Sequence, residues 1–277
     1  MQRTRSKLPV LFIVITVISS CTLHFFQLFE NGGSIGGIKF EVSSFITYLL
    51  VFLNFIFAGV YSYNKKNTAQ AFDFDNTGKS VYVSSAALAA AFFVDFIHQC
   101  YNCYDYIQRV SYIEYKYVCL IGISGIFALI SCFYFIVFSL TSKGENYDFR
   151  NFTWLHFSPV GWAFARLFAM MIKIVDVKIE VDAFLEFLFL TMFLCFIFSF
   201  ISAVDRKSGN VSRVFHFSSI CVSSLAAVIV IPRMIMAIIG KSELLNSVNF
   251  SGILYAMLGM FVFVYQIDLN NKIGKEK

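Results

Sequence analysis

The chain has 277 residues, of which 58% are hydrophobic and only 14% charged, whereas an ordinary soluble domain carries about 25% charged residues. That supply of charge cannot coat a water-soluble surface. The net charge of +5 is what basic loops need for orientation, and nothing in its distribution points to nucleic acid. The apolar residues fall in runs of about 20, the length that carries a helix across roughly 30 Å of hydrocarbon. The chain therefore reads as all-α, one polytopic helical bundle over residues 1–277 with the lipid bilayer as its solvent.

The first predicted span, 8–29, follows Arg3, Arg5 and Lys7. Its Ile18-Ser19-Ser20-Cys21 stretch resembles a lipoprotein signal that would lipidate Cys21, but the apolar run continues to Phe29, longer than a signal-peptide core. An uncleaved helix is the expectation. The second span is 43–63, and the loop 64–80, with Asp73, Asp75 and Gly78, reads as a solvated turn. The third, 81–101, opens on small residues (84–91) that suit close helix packing in lipid, and carries Asp95 and His98. The fourth is 117–140. The fifth, 154–175, contains His156, Pro159 and Arg166, and fits a span, a re-entrant segment or an interfacial helix. Ser158 before Pro159 is a helix-start signal that would leave this helix about 24 Å long, with Arg166 near its middle.

Residues 173–182 alternate charged and apolar side chains, as a short extended arm or an amphipathic continuation of the fifth helix would. In the sixth span, 183–203, Phe184, Phe187, Phe189, Phe193, Phe196, Phe198 and Phe200 point all round the helix. That pattern predicts a span facing lipid on most sides. The seventh, 214–231, carries small residues at 223–227, and the eighth is 252–267. Trp154, Trp162 and the tyrosines at 101, 104, 106, 112, 115 and 117 read as interfacial anchors.

Charge counting selects among the readings of the fifth segment. With eight spans, one side holds Arg3, Arg5, Lys7, Lys65, Lys66, Lys79, Lys143, Arg150, Arg206, Lys207, Arg213, Lys272, Lys275 and Lys277. The other holds Lys39, Arg109, Lys116, Lys173, Lys178, Arg233 and Lys241, a ratio of 14 to 7. Seven spans invert everything beyond the fifth segment and reduce this to 13 to 9. The positive-inside rule thus favours eight spans with both termini cytoplasmic.

An ionisable residue at membrane depth costs roughly 2.5–3.5 kcal/mol on insertion scales and tends to be paired or functional. Asp95 and Arg166 fall at similar depths, about 21 and 18 Å from the inner ends of their helices. Glu186 lies only about 5 Å below the outer surface and reads as a solvated end. His98, three residues after Asp95, shares its helix face. Asp95, His98 and Arg166, joined by Glu186, Arg233 and His24, would form an outward-opening polar cluster, either a site for a solute or proton or a structural ion pair. Cys100 and Cys103, spaced C-x-x-C beside His98, would suit zinc or thiol exchange, but no second pair of ligands and no thioredoxin-like context accompanies them. No H-E-x-x-H, G-x-S-x-G or phosphate-binding glycine loop is found, nor any cofactor motif.

The stretch Ser158-Pro159-Val160-Gly161-Trp162-Ala163-Phe164-Ala165-Arg166-Leu167-Phe168, the helix 182–203 and the tail 272–277 resemble uncharacterised multi-span membrane proteins of anaerobic Gram-positive bacteria. The resemblance implies a bacterial plasma membrane and carries no activity. The sequence leaves three functions open: a partner, assembly or sensory component beside another membrane protein; a small-solute transporter or substrate-binding subunit using the outer cluster; and, last, a membrane enzyme.

Overall fold

The computed structural model describes residues 7–29, 40–63, 78–109, 115–142, 154–174, 181–204, 211–240 and 249–275. They form eight helices: α1 (Lys7–Phe29), α2 (Phe40–Tyr63), α3 (Lys79–Arg109), α4 (Tyr115–Ser142), α5 (Ser158–Ile174), α6 (Val181–Val204), α7 (Val211–Ile238) and α8 (Asn249–Lys275). Each is long and apolar enough to cross a membrane, and the segment 154–172 is one of them. The protein is an integral, multi-pass helical bundle. The reason is the solvent: hydrocarbon offers backbone amides no partner, so a spanning segment must satisfy them within its own helix. Residues 64–77 and 175–180, about which the sequence made specific predictions, lie outside the described residues.

Successive helices alternate in direction. The bundle therefore has a near end, where α1 begins and α8 finishes, and a far end, where α1 finishes and α8 begins. α5 starts as the sequence indicates, at Ser158 after a 3-10 turn from Trp154 to Phe157, and the Ser158 hydroxyl donates to the Leu155 carbonyl. Three helices, α3, α7 and α8, outrun their predicted bounds by seven residues or more. α3 continues to Arg109, so Cys100 and Cys103 lie within the helix. α7 runs through Pro232 to Ile238, although proline supplies no amide to the preceding turn.

The core is aromatic. Phe92, Phe135, Trp162 and Phe193 meet in stacked and edge-on pairs, and Phe138, Phe196, Phe200, Phe215, Phe261 and Tyr265 extend the network toward the near end. The expectation that α6 faces lipid on most sides is overturned. Phe189, Phe193, Phe196 and Phe200 are fully buried, and only the intervening Phe198 is strongly exposed. A phenylalanine gains as much from a ring partner as from lipid tails, so an all-round phenylalanine helix is equally at home in the centre.

Small residues set the closest approaches. α3 packs most extensively of all against α4, with Ser85, Leu88, Ala89 and Ala91 buried, and α7 is the most buried span. At the α7–α8 crossing a methyl on Gly259 would collide with the Ala226 side chain, whereas one on Gly252 would meet nothing within 4 Å. Gly259→Val should therefore lower the thermal midpoint in detergent by an amount worth about 1–3 kcal/mol, and Gly252→Ala should leave it unchanged. Equal midpoints for the two variants would show that the crossing is looser than described.

Candidate functional site

Asp95 sits halfway along α3 and is 1% exposed. Its two oxygens accept one hydrogen bond each: from Trp162 Nε1 on α5 at 2.9 Å, and from Gln99 Nε2 one turn along α3 at 3.2 Å. Trp162 is thus no interfacial anchor. It is fully buried, and the indole places its one N–H on the carboxylate while its ring packs on Phe92 and Phe193. Each carboxylate oxygen is thus met by an N–H donor.

One turn beyond Trp162 on α5, Arg166 reaches Glu186 of α6 at 3.5 Å and donates to the Tyr255 hydroxyl of α8 at 3.3 Å. Tyr255 in turn donates to Glu186. The three close on one another and join α5, α6 and α8. Glu186 is consequently drawn into the bundle, its side chain only 14% exposed, instead of ending in water. Arg166 also feels the charge of Asp95, and His98 feels both. His98 is half-buried on the same face of α3, with Nδ1 3.4 Å from the Asn102 side-chain nitrogen.

His24 and Arg233 do not belong to this group. They meet a residue the sequence reading left in a loop arm, Asp182, in the first turn of α6. His24 Nε2 lies 2.8 Å and Arg233 Nη2 3.3 Å from the same carboxylate oxygen. The predicted single cluster is therefore two, hung four residues apart on α6: Glu186 toward α5 and α8, Asp182 toward α1 and α7. The carboxylate of Asp182 also stands at a helix N-terminus, where the dipole favours negative charge. Arg233 is 7% exposed, and neither of its terminal nitrogens has an acceptor aligned with its N–H bonds.

From His24 a polar seam runs back along α1 and α2. His24 Nδ1 lies 3.4 Å from the Gln27 side-chain oxygen, and the Gln27 amide donates to Ser43 at 3.2 Å and to Thr47 at 3.1 Å. Deeper in, Asn54 donates to Thr16 at 3.1 Å and accepts from Ser224 of α7 at 2.9 Å. On α1 the buried side chains are Pro9, Thr16, Ser20, His24 and Gln27. The helix shows its apolar residues to lipid and turns its polar stripe inward. The signal for this lay in the sequence, as polar residues spaced four, four and three apart within an otherwise apolar run.

Cys100 is exposed and Cys103 half-buried, with the Cys103 thiol 3.8 Å from the Val118 carbonyl. Among the described residues no group of three or more His, Cys, Asp or Glu is placed to hold a metal ion. No family model matches the chain, and neither a curated protein nor a solved structure is significantly similar to it.

Two substitutions test these contacts. Trp162→Phe keeps the aromatic packing and removes one donor from Asp95, and should cost about 1–3 kcal/mol in stability. Asp182→Asn strands the buried guanidinium of Arg233 without its countercharge, and should lower the thermal midpoint more than Arg233→Met, which leaves the partly exposed Asp182 carboxylate still paired with His24. A midpoint unmoved by the first, or the reverse order in the second, would contradict the assigned pairings.

Proposed function

We propose that this protein is a membrane-embedded partner, assembly or sensory component of a bacterial plasma membrane, with its near end cytoplasmic. Its buried charges serve as locks between helices. The observation that carries this reading is the closed set Arg166, Glu186 and Tyr255, in which each side chain contacts the other two and all three come from different helices. A site evolved to receive a solute keeps donors or acceptors open to it, whereas a lock uses them up. The plasma-membrane assignment rests on the resemblance drawn from the sequence, and the orientation on the excess of basic residues at the near end.

A second reading, a small-solute transporter or substrate-binding subunit, draws on the other cluster. The Arg233 nitrogens without aligned acceptors sit where an anionic group could take a share of the guanidinium.

The two readings diverge under substitution. Arg166→Met alone strands Glu186 and should destabilise by about 3–5 kcal/mol, while Arg166→Met with Glu186→Leu should recover most of the loss. For the lock reading, the double variant should still be recovered with a membrane partner when cells are crosslinked before solubilisation and the purified chain is analysed by mass spectrometry. Recovery of the chain alone from crosslinked cells would overturn the partner reading. Solute uptake in proteoliposomes that Arg233→Met abolishes would establish the second.

A further inference from the structure

The hydrogen bonds around His24 fix where its protons lie. Thr47 on α2 gives its one hydroxyl proton to the Ser43 carbonyl at 3.1 Å, so toward Gln27 its oxygen can only accept. The group of Gln27 that meets Thr47 at 3.1 Å and Ser43 Oγ at 3.2 Å is therefore the amide nitrogen. The amide oxygen is left facing His24 Nδ1 at 3.4 Å, and that ring nitrogen must carry a proton to meet it. The other ring nitrogen, Nε2, lies 2.8 Å from Asp182 Oδ1, off the line of a hydrogen bond but closer than two electron-rich atoms rest. If Nδ1 held the ring's one proton, Nε2 would present a lone pair to a carboxylate. A second proton between them turns that repulsion into attraction. Arg233 draws on the same carboxylate oxygen at 3.3 Å and needs it as an anion too, which places the proton on Nε2.

Among the described residues, two charged side chains face His24 from the helices around it, Asp182 of α6 and Arg233 of α7. α2 presents the neutral Ser43 and Thr47, and its Tyr48 turns onto Phe184. On α1 itself the half-buried thiol of Cys21 lies three residues back. Glu186, one turn along α6, is engaged by Arg166 and Tyr255. Arg233 is a permanent cation and Asp182 a single anion, so a doubly protonated His24 leaves the group one positive charge in excess. The proton on Nε2 is thus attracted by Asp182 and opposed by Arg233, and it is the one charge in the group that imidazole chemistry can release near neutral pH.

The pair is reached from one side. Asp182 stands in the first turn of α6, at the far end of the bundle, with its side chain 29% exposed, whereas His24 is buried behind it. Toward the near end the seam continues through the buried amides and hydroxyls of Ser20, Asn54 and Thr16, which carry no titratable group. We propose that His24 and Asp182 form a proton-binding site open to the far side, and that the proton bound there holds α1 onto α6 and α7. The proton arrives from far-side water, forms the Nε2–H bond and returns to water when that bond breaks, with no other bond changed. Once Nε2 is bare, His24 and Asp182 repel and α1 loses its tie to α6. The stabilisation is therefore present at low pH and lost as the pH rises. This extends to the His24 group the reading of buried charges as locks, and gives a sensory component a signal to read, the proton concentration on its far side.

The test uses the full chain in nanodiscs with nitrogen-15-labelled histidine, from about pH 5 to 8, the range in which imidazole changes charge. The two ring nitrogens resonate close together when both carry protons and far apart when one does. His24, identified by the signals that His24→Gln removes, should show the close pair at the acid end and separate as the pH rises. Over the same interval the thermal midpoint should fall for the unaltered chain and stay level for His24→Gln. Arg233→Met, which removes the opposing cation, should move both changes to higher pH by about one unit, the effect of a charge a few ångströms away at high effective dielectric. That shift also identifies the His24 signals should His24→Gln fail to fold. A His24 that keeps one protonation state throughout, a titration that Arg233→Met leaves in place, or a fall in midpoint that His24→Gln retains would each overturn the proposal. Arg166, Glu186 and Tyr255 take no part in these readings, so the lock reading stands or falls by its own variants.

Discussion

Two carboxylates one turn apart, Asp182 and Glu186 at the start of α6, tie the far half of the bundle together. Asp182 takes His24 from α1 and Arg233 from α7, and Glu186 takes Arg166 from α5 and Tyr255 from α8. In hydrocarbon these contacts carry unusual weight. Apolar association gains little where the surroundings are as apolar as the side chains, so helix choice falls to packing of small residues and to polar pairing. The rest of the arrangement follows from a central α6 with partners on both sides. Its aromatic faces become core, and α1, which shares little apolar core, is held by its polar stripe.

The bundle consequently has two kinds of interior. Around α3, α4, α5, α6 and α8 it is aromatic, a network of rings into which Asp95 is admitted only because Trp162 and Gln99 satisfy it. Between α1, α2 and α7 it is polar and built from small side chains: Thr16, Ser20, Ser43, Thr47, Asn54 and Ser224 are all buried. The first kind excludes polar groups unless they are paired. The second is made of them.

The class, the number of spans and the start of α5 were legible, because span length and the Ser158-Pro159 signal are local properties. Which faces lie inward was much less so. Phe189 and Phe198 sit in the same phenylalanine-rich run and have opposite surroundings, one buried and one facing lipid, since hydrophobicity distinguishes core from water but not core from lipid. Depth arguments marked Asp95, Arg166, His24 and Arg233 as polar groups within the membrane and left Glu186 in water, where the structure draws it into the bundle, because depth gives no azimuth. It could not divide them into two clusters. Trp162 was misread because tryptophan near a helix start is ordinarily interfacial, and only the position of Asp95 on another helix reveals its role. Asp182 was overlooked because the alternating segment before it suggested an arm, when it is already in the first turn of α6.

The polar stripe of α1 also bears on how the protein is made. A spanning segment made ahead of the helices that partner it must enter the bilayer without them, and a helix carrying His24, Gln27 and Thr16 would do so with open hydrogen-bonding groups. Its next neighbour in sequence supplies several of the missing partners: Ser43 and Thr47 engage Gln27, and Asn54 engages Thr16. The first two helices thus form a hairpin that meets much of its own hydrogen-bonding demand. Ser224, Asp182 and Arg233 dock onto it only after the chain has crossed the membrane several more times. Early insertion and late assembly are separated along the seam itself, with amide and hydroxyl contacts within the hairpin and charged contacts at its junction with the later helices.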